Sequence, residues 1–384
     1  MECYLDNSAT TRPYKEVVDI VSKTMFENYG NPSSMHTLGV ETEKMVRLAT
    51  ENIAKTLKAE PKEIIFTSGG TESDNMAIMG TAKALKRKGM HIIVSPFEHP
   101  AVERCMEILK KEGFEISYLS VNEKGLINID ELKTLIREDT ILVSVMAVNN
   151  EIGVKQDLEA IGKTVKECNK DTYFMVDAVQ AFGKIPINVK KMKIDLLSVS
   201  GHKINGPKGI GILYVNSNIR IVPLINGGGQ QGDMRSGTDN VPGILGLEKA
   251  VSITMDHLDE EAARLYELRS YLIEKLGKLE DVYVNSPDNE TSAPHIVSIS
   301  VKGIRSEVLL HSLEEKNIYV SAGSACSSHK RTPSKTLTAI GLEKDLIAST
   351  VRVSMGVYTT REELDYFVEN LSALLDSLRL YVRR

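Results

Sequence analysis

The chain predicts an α/β fold in two parts, and three observations carry that expectation. Short apolar, β-branched runs alternate with segments of helical period over the first two thirds of the sequence. Several of these runs are apolar at consecutive positions, as in strands covered on both faces of a mostly parallel sheet. Past residue 243 the rhythm changes to a long helical stretch and then a smaller mixture of strands and helices. At 384 residues and 42% hydrophobic content, the chain exceeds one ordinary core and fits a large domain plus a smaller one.

The elements follow in order. "CYLDNSA" reads as a strand too short to nucleate alone, able to join either part. Seven runs then read as strands: 63–68, 91–96, 115–121, 140–148, 173–179, 194–200 and 209–215. Helical segments fill the gaps at 71–88, 99–112, 129–137 and 157–169. The last two strands have only a short Gly/Pro connection, so they are expected to pair antiparallel at a sheet edge. Seven mostly parallel strands flanked by helices make a doubly wound domain. Beyond "INGGGQQGDMRSGTDNVPG" (225–243) come a broken helical stretch over 244–278 and the strand "HIVSISV" (295–301). A helix at 306–316, "IYVSA" (318–322), a small-residue loop, "TVRVSM" (350–355) and a helix at 361–380 complete a small α+β domain.

Composition excludes several classes. Lys and Arg number 47 against 52 Asp and Glu, a net charge of −5, so there is no polybasic surface for nucleic acid or anionic lipid. No apolar run approaches the roughly 20 residues that span a bilayer. The N-terminus is polar and lacks a signal-peptide core, so a cytoplasmic protein is expected. The cysteines, Cys3, Cys105, Cys168 and Cys326, form no CxxC pair, and no metal site is expected.

Three strand ends carry chemistry. "FTSGGTESDNMAI" (66–78) runs a strand through Gly69 and Gly70 into a helix, with Thr71 as cap or hydroxyl donor. Such a helix start receives anions, although read alone it is more simply a plain N-cap. "YFMVDAVQAFGK" (173–184) puts Asp177 at the end of an apolar run, where a carboxylate needs a cation or donor, with Gln180 three residues on. "SVSGHKINGPKG" (198–209) ends a third strand in Lys203. A phosphate-type helix start, a buried carboxylate and a lysine together suit pyridoxal 5′-phosphate. The lysine supplies the Schiff base, the aspartate keeps the ring nitrogen protonated and the helix start holds the phosphate. "SAGSACSSHKRTPS" (321–334) places Cys326 among small residues ahead of His329, Lys330 and Arg331, whose charge favours a thiolate. By composition alone it is equally an idle cysteine beside a basic turn.

"YLDNSATT", "GNPSS", "TSGGTESDN", "EHPAV", "VNNEIG", "VDAVQ", "SGHKINGPKG", "RSGT", "SAGSAC" and "VRVSMG" follow one another from residue 4 to about 365. In that order the chain resembles the NifS/IscS-type cysteine desulfurases, pyridoxal phosphate enzymes of the class V aminotransferase group and fold type I. The resemblance implies a large cofactor-binding domain over 15–256, and a small domain from 1–14 and 257–384 that carries the cysteine loop. It implies that Lys203 binds the cofactor covalently and that His99 stacks on the ring and moves protons. Asp177 would pair with the ring nitrogen and Gln180 with the ring hydroxyl, while Gly70, Thr71, Ser200 and His202 hold the phosphate. Thr238 would reach the phosphate of a neighbouring subunit in a homodimer with shared sites. Asn150, which also counts among the cofactor contacts, and Arg352 would hold the carboxylate of L-cysteine, with Asn31 lining the same pocket. Cys326 would accept the sulfur as a persulfide and pass it to an acceptor such as an iron–sulfur scaffold or a tRNA-thiolation enzyme. Selenocysteine lyase or another class V reaction is the alternative within the fold, and a sulfur-relay scaffold is the alternative without catalysis.

Overall fold

A computed structural model describes residues 1–322 and 333–382. Its strands are β1 (Cys3–Tyr4), β2 (Ile64–Thr67), β3 (His91–Val94), β4 (Glu115–Tyr118), β5 (Thr140–Met146), β6 (Tyr173–Asp177), β7 (Leu196–Ser200), β8 (Gly211–Val215), β9 (Val282–Val284), β10 (Ile296–Val301), β11 (Ile318–Tyr319), β12 (Ser321–Ala322) and β13 (Thr350–Ser354).

Seven strands make the main sheet, in the order β2-β8-β7-β6-β5-β3-β4. All run parallel except β8, which is antiparallel to both of its neighbours. The antiparallel pairing of the last two strands is therefore as expected, but their edge position is not. Ile212, Leu213 and Tyr214 of β8 are completely buried, so both faces of that strand need cover, and β2 closes the edge instead. The expected strand over 318–322 also divides. β11 pairs with β1 in parallel, whereas β12 pairs with β13. The remaining sheet, β12-β13-β10-β9, is antiparallel.

The helices are α1 (Lys15–Glu27), α2 (Thr37–Leu57), α3 (Gly70–Leu85), α4 (Pro100–Lys111), α5 (Ile129–Leu135), α6 (Leu158–Cys168), α7 (Val241–Asp256), α8 (Leu258–Leu276), α9 (Ser306–Glu314), α10 (Lys335–Ala339), α11 (Lys344–Ala348) and α12 (Arg361–Val382). Their starts are written locally. Asp157 caps α6 by accepting from Ala160 N–H at 3.0 Å, and Asn240 caps α7 through Gly243 N–H at 3.1 Å. The helical stretch after residue 243 breaks at His257, between α7 and α8.

Residues of β6 alternate between two cores: Phe174 and Val176 pack on one face of the sheet, Met175 on the other. Truncating Phe174 to alanine would cost about 3–5 kcal/mol in such a core. A separate core forms around Leu272, Val297, Ile299, Val351 and Phe367. Among the described residues no helix is long and apolar enough to cross a membrane. Because β2, β3, β5, β6 and β7 point the same way, their carboxyl ends share one edge, and the turns that follow them are brought together there.

Candidate active site

At the end of β2 the chain turns through Gly69, at φ 149°, and enters α3 at Gly70. A side chain at Gly70 would meet Val179 Cγ2 at 2.7 Å, and one at Gly211 would meet the Gly69 backbone at 2.6 Å. The two strand ends can approach this closely only because those positions lack a Cβ. The first turn of α3 thus faces Ser200, which is buried at the end of β7. Thr71 does not cap this helix. Gly69 occupies the cap, and Thr71 is exposed one residue inside the helix.

Asp177 closes β6 and is 3% exposed. Its Oδ1 accepts from Val179 N–H at 2.9 Å. Burial pushes its pKa up, while that backbone N–H, His99 and Lys203 pull it down. His99 caps α4, its Nδ1 accepting from Ala101 N–H at 3.2 Å. Burial outweighs the pull of Asp177 and holds the imidazole below its usual pKa. The neutral ring that accepts at Nδ1 therefore carries its proton at Nε2.

Lys203 follows β7 in a short turn with Gly201 and His202. Its Nζ donates to the Ser8 carbonyl at 2.5 Å and to the Ala9 carbonyl at 2.8 Å. Gln180 Nε2 donates to the same Ser8 carbonyl at 2.9 Å. His202 Nδ1 lies 3.1 Å from Thr10 Oγ1, and burial, then Lys203 and Lys208, push its pKa down to about 4. The N-terminal segment is stitched over the site by Thr11, whose Oγ1 donates to the His202 carbonyl at 2.8 Å and accepts from Asn205 N–H at 2.8 Å.

Arg352 stands in β13, opposite Ser321 of β12. Its Nη1 donates to the Asn150 carbonyl at 2.7 Å and its Nη2 to Asp6 Oδ1 at 2.8 Å, while Nε is buried and has no partner among the described residues. The guanidinium expected to hold a substrate carboxylate is thus already paired with Asp6, and its Nε–H and one N–H on each Nη remain for a further acceptor. Glu151, next to Asn150, accepts from Ser334 Oγ at 2.6 Å and Thr336 Oγ1 at 3.1 Å. Burial raises its pKa to about 7.

Lys203, Asp177, Gln180, His99, His202, Ser200 and Gly70 thus share one edge of the main sheet with Asn150 in the turn after β5, and Arg352 reaches that turn from the second sheet. Two expected residues stand apart. Asn31 is exposed between α1 and α2, its side chain accepting locally from Ser33 N–H at 2.9 Å. Thr238 is exposed ahead of α7, in a segment tied to α3 by Arg235 Nε and Glu72 Oε1 at 2.8 Å. Cys326, with His329, Lys330 and Arg331, lies outside the described residues.

Sequence reasoning missed Asp6, the Ser8 and Ala9 carbonyls, Asp74, Glu98 and His295. His295 is buried with Nε2 3.4 Å from Gln180 Oε1. Backbone carbonyls leave no trace in residue type. The Glu-His-Pro run and the Glu-Ser-Asp run near the start of α3 stand in the sequence, but the burial of Glu98 and Asp74 does not show there.

The chain matches the profile of the family described as "Aminotransferase class-V" over residues 3–367. A curated relative from Dictyoglomus turgidum, "Cysteine desulfurase IscS", is 45% identical over 379 residues, covering 98% of this chain and 95% of that protein. Among solved structures, a "NifS-like protein" superposes with a TM-score of 0.93 at 39% identity, covering 98% of this chain and all of that one. Another, described as SspA in complex with cysteine, gives a TM-score of 0.82 at 36% identity, over 93% of this chain and all of that one.

Proposed function

Because this chain belongs to the class V aminotransferase family, among its cysteine desulfurases, we propose that it takes sulfur from L-cysteine, leaves L-alanine and holds the sulfur as a persulfide on Cys326. The observation that carries this reading is the convergence of Lys203, Asp177 and the Gly69–Gly70 helix start at one sheet edge.

These residues fit pyridoxal 5′-phosphate. The two glycine contacts leave a cradle that any Cβ would fill, beside N–H groups and a helix dipole suited to a phosphate. Gly70, Thr71, Ser200 and His202 would hold that phosphate, Gln180 the ring oxygen and Asp177 the ring nitrogen, with His99 against the ring. Thr238 would serve the phosphate of a second subunit. When bound, the cofactor supplies an aldehyde that takes amines as imines and a protonated ring that draws electrons from the substrate's α-carbon.

The protein's own groups do the rest. Lys203 provides the amine and, once displaced, is a neutral base that takes the α-proton and returns a proton to the carbon skeleton. Asp177, as the anion, keeps the ring nitrogen protonated. Asn150 and Arg352 orient the substrate carboxylate, and Arg352 does so with its remaining donors. The Cys326 thiolate attacks the substrate sulfur, an S–S bond forms and the C–S electron pair stays with carbon. Protonation there completes alanine. Asn31 is a further lining residue in this proposal.

Met25, Phe26, Tyr29 and Met35, each at least 66% exposed, form an apolar surface where α1 leads into α2. It supports a homodimer, in which Thr238 and Asn31 would meet the second subunit's site. We assign the cofactor part to 15–256 and the cysteine-bearing part to 1–14 and 257–384. The acceptor is an iron–sulfur scaffold or another sulfur carrier, and the enzyme works in the cytoplasm. Alanine release and trapped persulfide, measured for wild type and Cys326→Ala, test the reading: the variant should lose both. Full alanine release by the variant would refute the persulfide step.

A further inference from the structure

Three carboxyl groups, not one, sit at the end of the main sheet. Asp177 of β6 faces Met146 of β5 on one side and Ser198 of β7 on the other. Each of these neighbours is bound to another buried acid. Glu98, 6% exposed, accepts at Oε1 from Met146 N–H at 2.6 Å and from Ser95 Oγ at 2.6 Å. Asp74, 1% exposed, accepts at Oδ1 from Ser198 Oγ at 2.5 Å. Asp177 is thereby flanked symmetrically, through one strand neighbour on each side.

The three acids are not equivalent. Asp177 has the fields of His99 and Lys203 and a backbone donor. Among the described residues neither Asp74 nor Glu98 makes an ion pair. Glu98 faces Asp177 and Glu103, and its buried Oε2 has no hydrogen-bond partner among the described residues. Asp74 faces Asp177 and Glu98, with the Cys105 thiol of α4 beside it, and that thiol is itself pushed up to about 12. An ionised carboxylate with a bare oxygen in such surroundings costs far more than a carboxylic acid with an unpaired hydroxyl. Charges this close share their protons as a set, and the protons settle where no cation is near.

We propose that Asp74 and Glu98 each carry a proton in the resting enzyme and act as positioning residues for Asp177, leaving it the single negative charge at the end of the sheet. In the function proposed above, on which this inference rests for its purpose, that arrangement spares Asp177 the repulsion that would make it take up the proton meant for the cofactor's ring nitrogen. Glu98 gives up its proton as the pH rises, because burial and Asp177 place its pKa at about 8. Above that pH a second charge joins Asp177.

The test is the infrared spectrum of the holoenzyme in H2O and D2O, for wild type, Asp74→Asn and Glu98→Gln. Expected at neutral pH, beside the band of Glu151, whose pKa is itself about 7, are two deuterium-sensitive carboxylic C=O bands, one missing from each variant. The Glu98 band fades as the pH of wild type is raised through about 8. Should an acid variant fail to fold, Ser198→Ala removes Asp74's donor without touching either acid, and it should shift the Asp74 band alone. Loss of a carboxylate band in place of a carboxylic one from either variant, or a variant that loses no carboxylic band, overturns the proposal. These bands belong to the protein, so this result stands apart from whether alanine is released.

Discussion

The amine of Lys203 is held 2.5 Å from the carbonyl of Ser8 and 2.8 Å from that of Ala9. Carbonyls only accept, so they grip the amine by its hydrogens and leave its position fixed at the end of β7. The Ser8 carbonyl also takes a hydrogen bond from Gln180. One backbone oxygen near the N-terminus therefore links the two side chains that the proposed chemistry places on the cofactor. The first eleven residues belong to the site as much as the sheet does.

Arg352 carries the proposed substrate carboxylate. Replacing it with glutamine should raise KM for L-cysteine about 10–150-fold, the equivalent of a charge-assisted hydrogen bond of ~1.5–3 kcal/mol. Steady-state kinetics check this. Asp6 loses its ion-pair partner in the same variant, so thermal stability should fall too. An Asp6→Asn, Arg352→Gln double variant should recover the stability without recovering KM.

Gly70→Ala tests the cradle. Its new methyl would meet Val179 Cγ2 at 2.7 Å. Overpacking of this kind costs ~1–3 kcal/mol, and here it would fall on the turn that holds the phosphate. The holoenzyme should lose pyridoxal phosphate faster on dilution, and Val179→Ala in the same chain should restore retention.

Glu98 makes stability depend on pH. Its folded pKa, about 8, lies above the ordinary value near 4.5, so the folded state binds the extra proton. That contribution is complete below pH 4.5 and is lost as pH rises through 8. The full loss is bounded at about 5 kcal/mol by linkage. Urea unfolding of wild type should weaken over this interval, and Glu98→Gln should flatten the profile.

Phe26→Asp, or Met35→Asp, should break the proposed homodimer. Both side chains are more than 80% exposed in the single chain. A central apolar contact worth ~2 kcal/mol would shift the dimer dissociation constant about 30-fold. Sedimentation equilibrium measures it.

The main sheet was legible because strands such as β5, buried at every position, are written as unbroken apolar runs. Helices α1 and α2 were not read, since their apolar positions are split between a thin buried face and an exposed surface, with only Val17 and Thr24 buried in α1. Gly70, Asp177 and Lys203 were legible as residue types at the ends of apolar runs. Thr71 was misread as a cap because the sequence does not reveal that only glycine fits the turn against Val179 and Gly211. The Asp6–Arg352 pair joins residues 346 apart, and no local pattern encodes it.

The central claim is the covalent bond at position 203, and reduction with borohydride followed by peptide mass mapping tests it most directly. The account predicts a yellow protein that bleaches and carries a phosphopyridoxyl group on the peptide containing Lys203, with no label after Lys203→Ala. A colourless protein that stays unlabelled when pyridoxal phosphate is added, or a label on another lysine, would contradict it.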